Sequence, residues 1–232
     1  MKSTATRLTE INQRIATASA ASGRAESAVQ LVAVAKTATP ATLEEAWQAG
    51  QRCFGHNRVQ ALEEHRAVLP NAEWHLLGPL QGKKVRRGLA AAQLYQALGE
   101  RRTTERCARV LEETGTTAYP VLLQINVHPE DGRYGCALED LDALADLVCA
   151  TPQLHFAGLM TLALATADDS ALRRIFSTLR ERFQQLQSDG RLDAEALLSM
   201  GMSGDFETAI EEGANLVRVG RAIFPPPATD SL

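Results

Sequence analysis

Lys36 is the residue from which chemistry can be argued first. It follows Leu31-Val32-Ala33-Val34-Ala35, a run of small and β-branched side chains, and precedes Thr37-Ala38-Thr39-Pro40. Such a run reads as a buried parallel strand. Lys36 then stands at the strand's carboxyl end, where α/β proteins build their sites. With a low-dielectric core behind it, a lysine there has its pKa lowered and can attack a carbonyl as the free amine. The alternative is a lysine that snorkels to solvent from a strand end. Two other segments suit an anion. Met200-Gly201-Met202-Ser203-Gly204 leads from a strand into a helix, so backbone N–H groups and the Ser203 hydroxyl can meet a phosphate. Val219-Gly220-Arg221-Ala222 follows the last strand in the same way. Each is equally a plain glycine turn when taken alone. At adjacent strands the two together favour a phosphate.

An amine nucleophile sharing a mouth with a phosphate cradle implies a phosphorylated carbonyl compound held as a Schiff base. Pyridoxal 5′-phosphate fits that pattern, and so does a phosphosugar in an aldolase. Arg218 helps to choose. It lies between Val217 and Val219, so by alternation it faces the other way from its neighbours. Facing the mouth, it would meet a pyridine nitrogen, keep it unprotonated and weaken the ring as an electron sink. Otherwise it forms an ion pair with Glu211 or Glu212. His75, between Trp74 and Leu76, faces the ring or is satisfied in the core. Asn57 hydrogen-bonds a ring hydroxyl or caps a helix. Met160 and Ser199 end strands that open on the same mouth.

Regular elements must position these residues. Leu8, Ile11 and Ile15 recur at helical spacing after Ser3, with Gly23 beyond, which predicts an amphipathic helix over 3–21. Strands are expected at 30–36, 52–55, 73–77, 93–97, 119–126, 153–159, 196–199 and 216–219. Helices fall between them. Thr42 is expected to cap the first of these, another runs from about 80 to 91, and 128–135 is a polar loop. A helix begun at Asp168 or Asp169 carries the apolar stripe Leu172, Ile175, Phe176, Leu179, Phe183 and Leu186. Strands alternating with helices mean a parallel sheet. Eight such units, without a linker or a repeat in 232 residues, predict a single-domain (β/α)8 TIM-type barrel over 1–232, with an extra N-terminal helix. The turn after the last strand counts as the eighth helix. An open doubly wound sheet is the alternative. Pro225-Pro226-Pro227 stops regular structure, and 225–232 are expected to form a mobile tail.

The formal charge of −4, from 24 basic and 28 acidic residues, argues against generic nucleic-acid binding. No stretch is long and apolar enough to cross a bilayer, and no leader is expected. Cys53, Cys107, Cys136 and Cys149 lack metal-ligand spacing and read as buried thiols in a reducing cytosol. A cytoplasmic monomer is therefore expected.

Several segments carry a family resemblance. Val-Ala-Val-Ala-Lys-Thr at 32–37, Phe-Gly-His-Asn at 54–57, Trp-His-Leu-Leu-Gly-Pro-Leu-Gln at 74–81 and Gln-Ile-Asn at 124–126 are four of them. Gly-Leu-Met at 158–160, Leu-Ser-Met-Gly-Met-Ser-Gly-Asp at 198–205 and Val-Arg-Val-Gly-Arg-Ala-Ile-Phe at 217–224 complete the set. In this order and spacing the chain resembles the YggS/PROSC family of pyridoxal phosphate homeostasis proteins. The resemblance implies a barrel of the alanine racemase N-terminal type, the fold type III of pyridoxal phosphate proteins. It implies that Lys36 binds the cofactor covalently and that Ser203 and the Gly220 region hold its phosphate. Arg218 would face the pyridine nitrogen, with Asn57 and His75 along the ring and Met160, Ser199, Met202 and Arg221 also at the site. The implied role is cofactor supply or buffering, without established turnover and with cofactor-accepting apoenzymes as partners. An amino-acid racemase or decarboxylase on the same barrel is the alternative. The racemases' second β-domain is not expected in a chain of this length. His56, Lys83, Arg221 and Pro225 depart from the family pattern, which commonly has Glu, Asn, Thr or Ser, and Gly at these places.

Overall fold

Gln30–Val34 (β1) pairs in parallel with Cys53–His56 (β2) on one side and, on the other, with the last strand of the chain, Leu216–Val219. In the computed structural model, which describes residues 2–127, 134–163 and 168–226, this pairing belongs to a closed ring. After β2 come Glu73–Leu76 (β3), Leu94–Leu98 (β4) and Tyr119–Asn126 (β5), and the pairing of β4 with β5 closes the barrel. Cys136–Ala137 (β6) is a two-residue strip on β5, outside the ring. Leu154–Met160 (β7), Leu197–Ser199 (β8) and Leu216–Val219 (β9) complete the circuit. Every pairing is parallel. The expected closed barrel is found, and the open sheet is excluded. Of the loop expected over 128–135 and the tail expected over 225–232, residues 128–133 and 227–232 lie outside the described residues.

Thr4–Ala21 (α1) precedes the barrel, capped by the Ser3 side chain, with Leu8, Ile11 and Ile15 buried. Pro40–Gln48 (α2), Val59–Val68 (α3), Lys84–Ala91 (α4), Arg101–Glu113 (α5), Leu141–Cys149 (α6), Asp169–Ser188 (α7) and Phe206–Glu211 (α8) follow the strands. The cap of α2 is Thr39, not Thr42. Pro40 takes the first helical position, where its missing N–H costs nothing, and that sets Thr42 as the reciprocal partner in a capping box. The start of α4 is later than expected, because Gly82 at φ +52° turns the chain first. On α7 the stripe Ile175, Phe176, Leu179, Phe183 and Leu186 is buried as expected, and Asp168 is the cap. The barrel interior is not wholly apolar: His75, Gln96, Ser199 and Arg218 are buried in it. Three thiols are buried, but Cys149, at the end of α6, is exposed. No helix among the described residues is long and apolar enough to cross a membrane.

Candidate functional site

The mouth of the barrel is built at the carboxyl ends of β8, β9, β1 and β2, which are consecutive neighbours. Beyond β1 the chain stays extended for one more residue, with Ala35 N–H donating to Gly55 O at 2.9 Å. Ala38 N–H then donates to Ala35 O at 3.2 Å and turns the chain, which leaves Lys36 exposed in the turn. The expected desolvation of Lys36 is therefore not seen. It stands on the rim, one turn past the strand, and not inside the core.

Two glycine turns flank it. Gly201, at φ +90°, follows β8, and a Cβ there would come within 2.7 Å of the Ala209 side chain and 2.8 Å of Phe206 Cα. Only glycine allows that approach. Within this turn Asp205 accepts from Met202 N–H at 2.5 Å, and Phe206 N–H donates to Met202 O at 3.0 Å. The Ser203 hydroxyl has no protein partner among the described residues, and Met202 and Ser203 are half-buried. After β9, Gly220 lies where a Cβ would be 3.1 Å from Val34 O, and its own carbonyl accepts from Ile223 and Phe224 N–H. Arg221 is exposed beside it.

Below the rim lies Arg218, 3% exposed, opposite Val32 in the sheet. Its Nη1 donates to Ser199 Oγ at 2.5 Å and its Nη2 to Thr161 O at 2.7 Å. Burial lowers its pKa to about 10, with Asp205 acting in the opposite direction, so it stays cationic at neutral pH. The ion pair weighed for it does not form. Glu211 pairs with Arg173, and Glu212 with Arg173 and Arg180.

His75 is inside the barrel and not at the rim. It is 1% exposed, with Nε2 2.8 Å from Glu73 Oε1 and Nδ1 2.8 Å from Gln96 Nε2. Both nitrogens are thus engaged by protein. Asn57 is exposed in the turn after β2 and is not a helix cap, since Arg58 takes that position. Met160 is fully buried at the end of β7. Sequence reasoning missed Gln96, Thr161 and Glu73. Gln96, between Tyr95 and Ala97 on a buried strand, carried the available signal: a polar residue there needs a partner inside.

His56, the departure next to Asn57, is 3% exposed, and its Nδ1 accepts from Arg58 N–H at 3.1 Å. Burial first, then the charges of His65, Arg58 and Lys36 against Glu64, lower its pKa to about 4. The tyrosines point elsewhere. Tyr95 and Tyr119 donate to Ala97 O and Ala92 O, both at 2.6 Å, within the core. Tyr134 packs on Gly99, where a Cβ would be 3.1 Å from its ring, and burial pushes its phenol up.

A primary amine, two glycine turns with a hydroxyl, and a buried cation thus meet at one mouth. The family described as alanine racemase, N-terminal domain, matches residues 7–225. The pyridoxal phosphate homeostasis protein of Pseudomonas aeruginosa is 38% identical over 226 residues, covering 97% of this chain and 96% of that protein. Its counterpart in Vibrio cholerae is 37% identical over 234 residues, with 97% and 96% covered. Among solved structures, PipY of Synechococcus elongatus with pyridoxal phosphate bound is similar at a TM-score of 0.80 and 32% identity, over 92% of this chain and 99% of that one.

Proposed function

The chain belongs to the alanine racemase N-terminal domain family, with the pyridoxal phosphate homeostasis proteins, and on that premise we propose that it binds pyridoxal 5′-phosphate and maintains the cell's supply of it. The observation that carries this reading is the grouping of Lys36, the Gly201 and Gly220 turns and Arg218 on adjacent strands of one barrel mouth. The residues fit the group. The Gly201 turn is too tight for any side chain, and among the described residues Ser203 offers a hydroxyl that no protein group uses and Arg218 is a buried cation with no carboxylate bonded to it.

When bound, the cofactor supplies an aldehyde open to a primary amine and a ring able to take up electrons. Lys36 would hold it covalently from the rim. Ser203, the backbone around Met202 and the Gly220 turn bind the phosphate, and Arg221 adds a positive charge beside it. Arg218, cationic at neutral pH, would donate toward the ring nitrogen and so leave it without a proton. Ser199 holds Arg218 in place, and Asn57, in the turn after β2, would lie along the ring with Met160 and Met202 as apolar walls. His75 is too fully engaged to touch the ring and acts from within the barrel.

The protein acts as a carrier without turnover. Supporting this, an unprotonated ring is a weak electron sink, and none of the three tyrosines is directed over Lys36 as a second acid or base. Its partners are apoenzymes that accept the cofactor, its state is a cytoplasmic monomer, and its single domain spans the chain. Equilibrium titration with pyridoxal 5′-phosphate, pyridoxal and a phosphosugar is the test. Tight binding of the first alone is expected, and preference for the phosphosugar would replace this reading by an aldolase.

A further inference from the structure

Inside the barrel, five side chains join into one hydrogen-bond chain. Arg218 Nη1 lies 2.5 Å from Ser199 Oγ, Ser199 Oγ 2.7 Å from Gln96 Oε1, Gln96 Nε2 2.8 Å from His75 Nδ1, and His75 Nε2 2.8 Å from Glu73 Oε1. Both ends have fixed polarity. A guanidinium only donates, and a carboxylate only accepts. Ser199 therefore accepts from Arg218 and gives its own proton to Gln96 Oε1. With Gln96 oriented to accept from Ser199, its amide donates to His75 Nδ1, which assigns His75 as the neutral Nε2–H tautomer, its Nε2–H donating to Glu73 Oε1. The other tautomer would set two donors against each other at Gln96. Turning the amide over would relieve that, but it would cost the Ser199 proton its acceptor on Gln96 and leave an unprotonated His75 Nε2 facing the Glu73 carboxylate at 2.8 Å, acceptor against acceptor, so both ends of the chain bear on the tautomer. One assignment satisfies all four links, and an interior network is costly when half satisfied.

Glu73 ends the chain at the opposite end of the barrel from Lys36. Its side chain lines a cavity of about 390 Å³ at the amino ends of β1, β2 and β3, together with Asn12, Gln30, Gln51, Arg52 and Cys53. The hydrogen bond from His75 holds the Glu73 carboxyl below its ordinary range, against the effect of burial. Cys53 shares this corner, and its Sγ and the ligand atoms of Glu73 and His75 all lie within 4.8 Å of one another. A metal centre there is excluded by geometry. Sγ is 3.5 Å from Nε2 and 3.7 Å from Nδ1, nearly equidistant. A metal must lie in the ring plane beyond Nε2, and a thiolate sharing it would be much farther from Nδ1 than from Nε2.

We propose that Glu73 is a positioning residue for the cofactor site, acting from the barrel floor: it fixes the His75 tautomer and, through Gln96 and Ser199, the guanidinium of Arg218. This rests on the reading that Arg218 faces the cofactor ring. Glu73→Ala removes the acceptor at one end of the chain, whereas Glu73→Gln keeps one acceptor oxygen for His75 Nε2–H while removing the charge. The first measurement uses the cofactor-free protein, by ¹⁵N NMR of its histidine side chains, with the His75 signals assigned by their loss in His75→Gln. The expected result is the Nε2–H tautomer in wild type, mixed tautomers in Glu73→Ala and recovery in Glu73→Gln. The second is titration with pyridoxal 5′-phosphate, read by its visible band. Glu73→Ala is expected to shift the band and to weaken binding by roughly 2- to 30-fold, the range over which residues remote from a site modulate it, and Glu73→Gln to restore both. An unchanged tautomer in Glu73→Ala overturns the inference, as does a changed tautomer with an unchanged band and affinity. If wild type binds no pyridoxal 5′-phosphate, the proposed function falls, and the cofactor half of this inference with it.

Discussion

Thr37 Oγ1 donates to Phe224 O at 2.6 Å, across 187 residues of chain. This bond ties the turn that carries Lys36 to the turn that follows β9. The proposed site takes its covalent contact from the first of these loops and phosphate contacts from the second, and Thr37 links the two.

Thr37→Val keeps the shape of the side chain and removes the donor. The Phe224 carbonyl then loses its partner in a half-buried setting, a loss on the order of 1–2 kcal/mol. Urea unfolding is expected to show that loss. Cofactor retention on gel filtration is expected to fall with it, because the two loops are no longer held together.

Lys36 is expected to carry the cofactor. Borohydride treatment of the loaded protein, followed by peptide mapping, should label the peptide containing Lys36, and Lys36→Ala should lose the visible band. A label on Lys83 or Lys84 would remove Lys36 from the site.

Ser203→Ala is expected to weaken cofactor binding by roughly 1–3 kcal/mol, the scale for a hydrogen bond to a charged group. Pyridoxal, which lacks the phosphate, should bind far more weakly than pyridoxal 5′-phosphate and should be nearly insensitive to the same substitution. Equal affinity for the two compounds would leave the Gly201 and Gly220 turns without a phosphate to hold.

His56 makes stability depend on pH. Its pKa is about 4 when folded against 6.5 ordinarily, so between those values the unfolded chain binds a proton that the folded chain does not. Stability is therefore expected to fall as pH falls from 6.5 to 4 and to level off below that. At 1.36 kcal/mol per unit, the loss from this group is about 3 kcal/mol. His56→Asn keeps an acceptor for Arg58 N–H and cannot be protonated, so its unfolding free energy should lack this component. An identical pH slope in the variant would contradict the assignment.

Racemization of alanine or other common amino acids is expected to be absent. Proton–deuterium exchange at Cα in heavy water, followed by chiral analysis, measures it. Sustained turnover abolished by both Lys36→Ala and Tyr134→Phe would make this an enzyme and end the carrier reading.

Much of this molecule was legible along the chain, because periodicity and turn chemistry are local properties. The apolar run before Lys36, the stripe on α7 and the glycines at 201 and 220 each report on neighbours within a few residues. Alternation of strand with helix, repeated around the chain, was enough for a closed barrel. The errors were local as well. Thr42 was expected as the cap of α2, although Pro40 makes Thr39 the cap; and β6, two residues long, has no period to detect.

What the sequence by itself determined was the order of the elements and the presence of an amine, two glycine turns and an arginine at strand ends. Tertiary structure alone decided what those groups touch. Closing the ring brings Ser199 to Gln96 across 103 residues and Arg218 to Thr161 across 57. No spacing rule links such positions, since the inward neighbours of a barrel residue come from other strands. So the ion pair weighed for Arg218 gave way to a hydroxyl and a carbonyl, and His75, weighed between the ring and a satisfied place in the core, is found in the core, in a chain ending at Glu73. A buried polar residue announces that it needs a partner, but only the closed barrel determines which one it gets.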